Sequence, residues 1–189
     1  MLATILAQYG LADTHCRVLP FGTGLINRTW KVVDDTQEYI LQKINGQVFS
    51  NPVHISENIG ALADYFDAYH PGYLFVKPVK TLTTGAGYVL YENDCYRLLP
   101  FVPASQTYDT VSTPQLAFEA AQQFGRFTRL LRDFDTSSLH MTIRDFHNLT
   151  LRYKQLEQAI EQGNPQRIGQ SRELIDFLQS QHGIVKAYE

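Results

Sequence analysis

The chain has 189 residues, enough for one large domain or two small ones. A hydrophobic share of 44% and a charged share of 19% are globular values and exclude a disordered chain. The net charge of −3 leaves no basic footprint for nucleic acid, and no apolar run is long enough for a membrane span. The N-terminus lacks the basic start of a signal peptide, and Cys16 and Cys95 form no motif. Two scattered thiols suit a reducing, cytoplasmic setting.

Residues 2–9 read as a short helix. Residues 17–46 then read as three short strands. The first, 18–21, runs into a Gly-Thr-Gly turn at Gly22, Thr23 and Gly24. The second covers 26–33, a turn follows at Asp34-Asp35-Thr36, and the third covers 38–44. A glycine turn between strands lets backbone N–H groups approach a phosphate, and a lysine on a later strand can reach the same phosphate. The plain alternative is an ordinary β-meander with a glycine turn.

Asn51 and Pro52 open a helix with Ile55, Ile59, Leu62 and Phe66 at helical spacing, ending near His70-Pro71-Gly72. Strands are expected at 73–80, 88–92 and 95–101, with turns at 84–87 and Asn93-Asp94. After Pro103 the character changes. Leu116, Ala120, Phe124, Phe127 and Leu131 share one helix face, 146–160 is a second helix, and 168–181 a third helical segment. The fold class is α+β, with a sheet-rich lobe over 1–102 and a helical one over 103–189.

Four stretches resemble the aminoglycoside phosphotransferase and choline kinase group, and within it the N-acetylhexosamine 1-kinase-like sugar kinases. They are GTGLINRTWKV (22–32), YILQKING (39–46) with VFSNPVHISENI (48–59), YRLLPFVPAS (96–105) and DFHNLTLRYKQLEQAI (145–160). The resemblance implies a protein-kinase-like architecture: an antiparallel-sheet N-lobe with one packed helix, then an incomplete helical C-lobe. It implies an ATP-dependent transfer of phosphate to a small-molecule acceptor, expected to be a sugar. The alternative is a non-catalytic kinase-like module that binds a nucleotide or a partner.

Carried over residue by residue, Gly22, Thr23 and Gly24 would cover the nucleotide phosphates, with Asn27 beside them. Lys43 would be the phosphate-binding cation and Leu41, two residues back on the same face, would lie against the adenine. A register slip of one would put Gln42 in the lysine's place. Glu57 is the candidate carboxylate for Lys43, although it lies about 200° around the helix from Ile55, and Asn58 lies nearer the buried face. At the hinge, Leu99 would flank the adenine, the Pro100 carbonyl would accept from its amino group, and the Val102 N–H would donate to a ring nitrogen. Phe101 between them would point away or toward the helical lobe.

Phosphoryl transfer in such kinases uses an aspartate in H-x-D-x-x-x-x-N, with magnesium held by that asparagine and a later aspartate. His15, His54, His70, His140, His147 and His182 are none of them followed by aspartate at the second position. Catalytic base and magnesium ligands are therefore expected beyond residue 189, and no metal site is assigned within it. Helices separated from the rest of a lobe leave apolar faces, so self-association through Phe127, Leu131, Leu149, Leu156 or Leu178 is expected.

Overall fold

The computed structural model describes residues 1–11, 16–35 and 37–188; His15 and the turn residue Thr36 lie outside them. The chain divides into two compact units, residues 1–142 and 143–189.

In the first unit, helix α1 (Leu2–Ala7) precedes strands β1 (Arg17–Pro20), β2 (Arg28–Val33) and β3 (Glu38–Ile44). Helix α2 (Pro52–Tyr69), strands β4 (Val89–Tyr91) and β5 (Asp94–Pro100), and helix α3 (Pro114–Leu130) follow. The strands form one antiparallel sheet in the order β1-β2-β3-β5-β4. Residues beyond 105 add helices and a 3-10 turn at Thr136–Ser138, and no strand among the described residues.

Period-2 alternation decides what each strand residue faces. Val32, Leu41, Tyr96, Leu98 and Val89 share one face and bury against Ile5, Leu6 and Tyr9. The core is therefore α1 laid on one side of the sheet. The alternate residues, Thr29 and Lys31 on β2, Ile40 and Gln42 on β3, and Arg97 and Leu99 on β5, share the other side. Cross-strand register aligns them in two rows, Thr29–Gln42–Arg97 and Lys31–Ile40–Leu99.

The β4–β5 hairpin turns on Glu92 and Asn93, with φ of 49° and 66°, one residue earlier than the sequence suggests. Both central residues of such a tight turn take the left-handed conformation, and asparagine tolerates it well. The expected strand at 73–80 does not form. Pro78 brings no N–H to a ladder, and the segment makes a single sheet-like bond, from the Val79 N–H to the Leu98 carbonyl at 2.8 Å.

Pro52 opens α2 as expected, but Asn51 does not cap it; its amide nitrogen lies 2.8 Å from the His54 ring instead. Phe66 is 1% exposed and gathers Tyr73, Phe75 and Phe127 around it. Tyr65 and His70 both reach the Leu130 carbonyl, at 3.3 and 3.0 Å, fastening α2 to the end of α3.

The second unit holds α4 (Leu149–Gln162), α5 (Pro165–Gln170), α6 (Arg172–Ser180) and α7 (His182–Tyr188). Asn148 and Asn164 cap α4 and α5 through their side-chain oxygens. The segment expected as one helix over 168–181 is broken at Ser171. Ile175 and Val185 are the buried residues of the second unit.

Candidate functional site

The glycine turn sits between β1 and β2, where the ladder continues through a bond from the Phe21 N–H to the Thr29 carbonyl at 3.0 Å. Gly22 has a φ of +79°, a conformation that costs an L side chain strain. Nothing lies within 4 Å of where a Cβ on Gly22 or Gly24 would stand, so the turn's backbone is open to approach. Asn27 accepts the Asn45 N–H at 3.0 Å, tying the exit of the turn to the end of β3.

Phe21 stands at the entrance of this turn. Its ring meets Phe101 edge to face, with centroids 6.0 Å apart, and Lys31 lies 4.0 Å over the same Phe101 ring. The entrance of the glycine turn and the residue after β5 thus meet on the face opposite α1. Phe101 does not point away from that face, because continued alternation from Arg97 and Leu99 carries it there.

The edge of β5 beyond β4 presents main-chain groups. Leu98 directs its carbonyl outward, to the Val79 N–H. Alternation aims the Pro100 carbonyl the same way, while the Phe101 N–H turns back to the Glu38 carbonyl at 2.9 Å. The Val102 N–H donates to no described residue, and its carbonyl accepts from the Ser105 N–H at 3.3 Å. Leu99 lies beside Ile40 on the open face.

Three expected roles need correction. Leu41 is 0% exposed in the α1 core, so no purine can lie against it; Ile40 and Leu99, on the other face, are half-buried. Lys43 shares the face of Leu41, opposite the buried Tyr96, and its Nζ pairs with Asp94 Oδ2 at 2.5 Å. The Lys43–Glu57 pair is not made. Glu57 instead receives His140 Nε2 at 3.1 Å.

Sequence reading missed Arg97. Its Nε and Nη2 both reach Gln42 Oε1, at 3.0 and 2.8 Å, and Gln42 Nε2 lies 3.4 Å from Thr29 Oγ1. No carboxylate pairs with Arg97 among the described residues. Burial pulls its guanidinium below the usual arginine range, although it stays cationic. The strand alternation that placed Leu41 and Lys43 also put Gln42 and Arg97 on one face, and that was the signal available in the sequence.

His54, Glu57 and His140 bring their ligand atoms within 4.8 Å of one another. The two imidazoles stack with centroids 4.1 Å apart and planes 11° from parallel. Ligation of one ion needs lone pairs that converge, and stacked rings keep theirs in separate planes. The cluster instead fastens α2 to the chain after α3.

Residues 17–182 match the phosphotransferase enzyme family. Among solved structures, the chain is similar to an aminoglycoside phosphotransferase from Alicyclobacillus acidocaldarius, with a TM-score of 0.60 and 17% identity over 90% of this chain and 48% of that one. A spectinomycin phosphotransferase solved with ADP and spectinomycin gives a TM-score of 0.54 and 14% identity, over 90% of this chain and 53% of that one. The chain spans about half the length of these solved structures. At such identities the likeness is one of fold: α+β, kinase-like, with an antiparallel sheet and helices. No described helix is long and apolar enough to cross a membrane.

Proposed function

The chain belongs to the phosphotransferase enzyme family, and from that membership we propose that it carries the adenine-nucleotide site of a kinase acting on a small molecule. The observation that carries the reading is the shared face of the sheet. Phe21, at the entrance of the glycine turn, packs on Phe101 at this face, Ile40 and Leu99 line it, and the Pro100 carbonyl and Val102 N–H border it. A purine would lie against Ile40 and Leu99, with its amino group on the Pro100 carbonyl and a ring nitrogen on the Val102 N–H. The Gly22-Thr23-Gly24 backbone would approach the phosphates. Asn27 holds the exit of that turn in place.

The acceptor we propose is a sugar hydroxyl, on the strength of the four stretches that resemble sugar kinases. ATP is the donor, and magnesium would bridge its phosphates. No magnesium ligand or catalytic base is assigned to these residues. The 189-residue chain by itself is proposed to bind nucleotide without transferring phosphate, at millimolar affinity, equivalent to about −4 kcal/mol. A cytoplasmic setting, where ATP is abundant, fits the two unpaired thiols.

Titration of the isotope-labelled chain with ATP tests the reading. Amide shifts should concentrate at Gly22, Thr23, Gly24, Ile40, Leu99 and Val102. Shifts confined to the α1 side, or none at ten-millimolar ATP, would overturn it. Phosphorylation of a sugar by this chain alone would place the catalytic base within these residues.

A further inference from the structure

The geometry points to Arg97, aimed by Gln42, as the cation that meets the nucleotide's phosphates, from β5 rather than from β3. This rests on the nucleotide-site reading given above and names the charge that site uses.

The first ground is position. Thr29, Gln42 and Arg97 form one row across β2, β3 and β5. Thr29 is also the residue whose carbonyl receives the Phe21 N–H at the mouth of the glycine turn. The row therefore lies at the level of that turn. The Ile40–Leu99 row lies two residues nearer the hinge, a step of about 6.7 Å along each strand. A nucleotide with its base on Ile40 and Leu99 extends its phosphates toward Gln42 and Arg97.

The second ground is charge. Lys43, the cation that the resemblance implies, is on the α1 face and already holds Asp94 at 2.5 Å. Gln42 occupies the corresponding place on the open face and carries no charge. Arg97 beside it supplies one. Lys31, also on this face, is already paired with Glu38 at 2.8 Å.

The third ground is an incomplete partnership. A partly buried guanidinium normally finds a carboxylate, because desolvating a lone cation is costly. Arg97 has only a neutral amide oxygen, shared by two of its N–H groups. Its Nη1 has no partner among the described residues and is not sealed from solvent. The Gln42 oxygen fixes the fork in one orientation without neutralising it. A fixed, uncompensated guanidinium with a free edge suits the bidentate recognition of phosphate oxygens.

The test compares ATP with adenosine, titrated by NMR into the wild-type chain and four variants whose folding is checked by thermal melting. Arg97→Met should weaken ATP at least tenfold and leave adenosine within twofold. Arg97→Lys, which keeps the charge and loses the fork, should recover part of the loss. Gln42→Glu gives Arg97 a competing carboxylate and should weaken ATP selectively without unfolding the sheet. Lys43→Met should cost ATP less than Arg97→Met. An equal or larger loss in Lys43→Met, or a loss in Arg97→Met shared by adenosine, overturns the assignment. Adenosine binding with no gain from the phosphates removes Arg97 alone and leaves the nucleotide site standing. Failure of the wild type to bind either ligand removes both.

Discussion

Asn58 grips the main chain of His140 with both ends of its side-chain amide. Its Nδ2 donates to the His140 carbonyl and its Oδ1 accepts the His140 N–H, each at 2.8 Å. A single side chain on α2 thus does the work of a strand partner for one residue of the loop after α3. Glu57 and His54 flank the grip, one accepting from the His140 ring and the other stacking on it.

Asn58→Leu removes both bonds and leaves two main-chain groups to find water. Loss of two neutral hydrogen bonds should cost about 1–2 kcal/mol. Urea denaturation should show it, and limited proteolysis should find faster cutting near residues 138–142. Unchanged stability together with unchanged cutting would mean that the loop is held elsewhere.

Substitutions at neighbouring β3 positions should separate core from ligand face. Leu41→Ala opens a cavity in the α1 core and should cost about 2–5 kcal/mol with no selective effect on nucleotide. Ile40→Ala should cost less stability and weaken adenosine and ATP alike. Melting curves and the two titrations distinguish them; a reversed pattern would mean that the sheet presents its other side.

Val102→Pro deletes an N–H that no described residue uses. Stability should stay near wild type. Adenosine affinity should drop about 3- to 10-fold, the worth of one neutral hydrogen bond. An unaffected titration would exclude this N–H from base recognition.

Burial pushes the Cys95 thiol up to about 11, from about 8.5 in an unfolded chain. The folded state therefore holds the proton more tightly than the unfolded one. The stability this confers is complete below about pH 8.5 and is lost as pH rises toward 11. Cys95→Ala should flatten the fall of melting temperature between pH 8.5 and 10.5, and Cys95 should resist alkylation at pH 8 until the chain unfolds. Prompt alkylation of the folded chain would contradict the burial.

Of the residues the helical pattern offers for self-association, Leu178 is exposed and stays a candidate, while Phe127 does not. Phe127 is drawn inward against Phe66 and Tyr73, while Phe118, Phe124, Leu174 and Phe177 are each more than half exposed. Phe124→Glu and Phe177→Glu should shift sedimentation toward monomer, whereas Phe127→Glu should unfold the first unit. A wild-type monomer at high concentration would dispose of the association.

The strand-then-helix order was legible because alternation and helical spacing are local properties of the chain. The side of the sheet facing a ligand was not, since alternation is symmetric between two faces. It is α1, through Ile5, Leu6 and Tyr9, that takes Leu41 into the core and leaves Ile40 on the other face. Arg97 was hidden for a related reason. An isolated arginine in an apolar strand becomes informative once its partners are known, and one of them, Gln42, lies 55 positions away. The failed strand at 73–80 reflects a competition that propensity does not see, in which Pro78 leaves a ladder without a donor. Phe101 could have been placed by counting on from Arg97.

Both outer strands of the sheet are stunted. β4 has three residues, and β1 has four and closes on Pro20. Beyond β4, the Val79 N–H already occupies the Leu98 carbonyl. An edge this short, interrupted by proline and partly plugged, is a poor template for a strand from another molecule. Clumping of this protein on storage or heating should therefore not begin by sheet extension from the native state. Fibrils binding thioflavin should appear only after β1 or β4 has detached, with a lag set by local opening rather than by protein concentration alone.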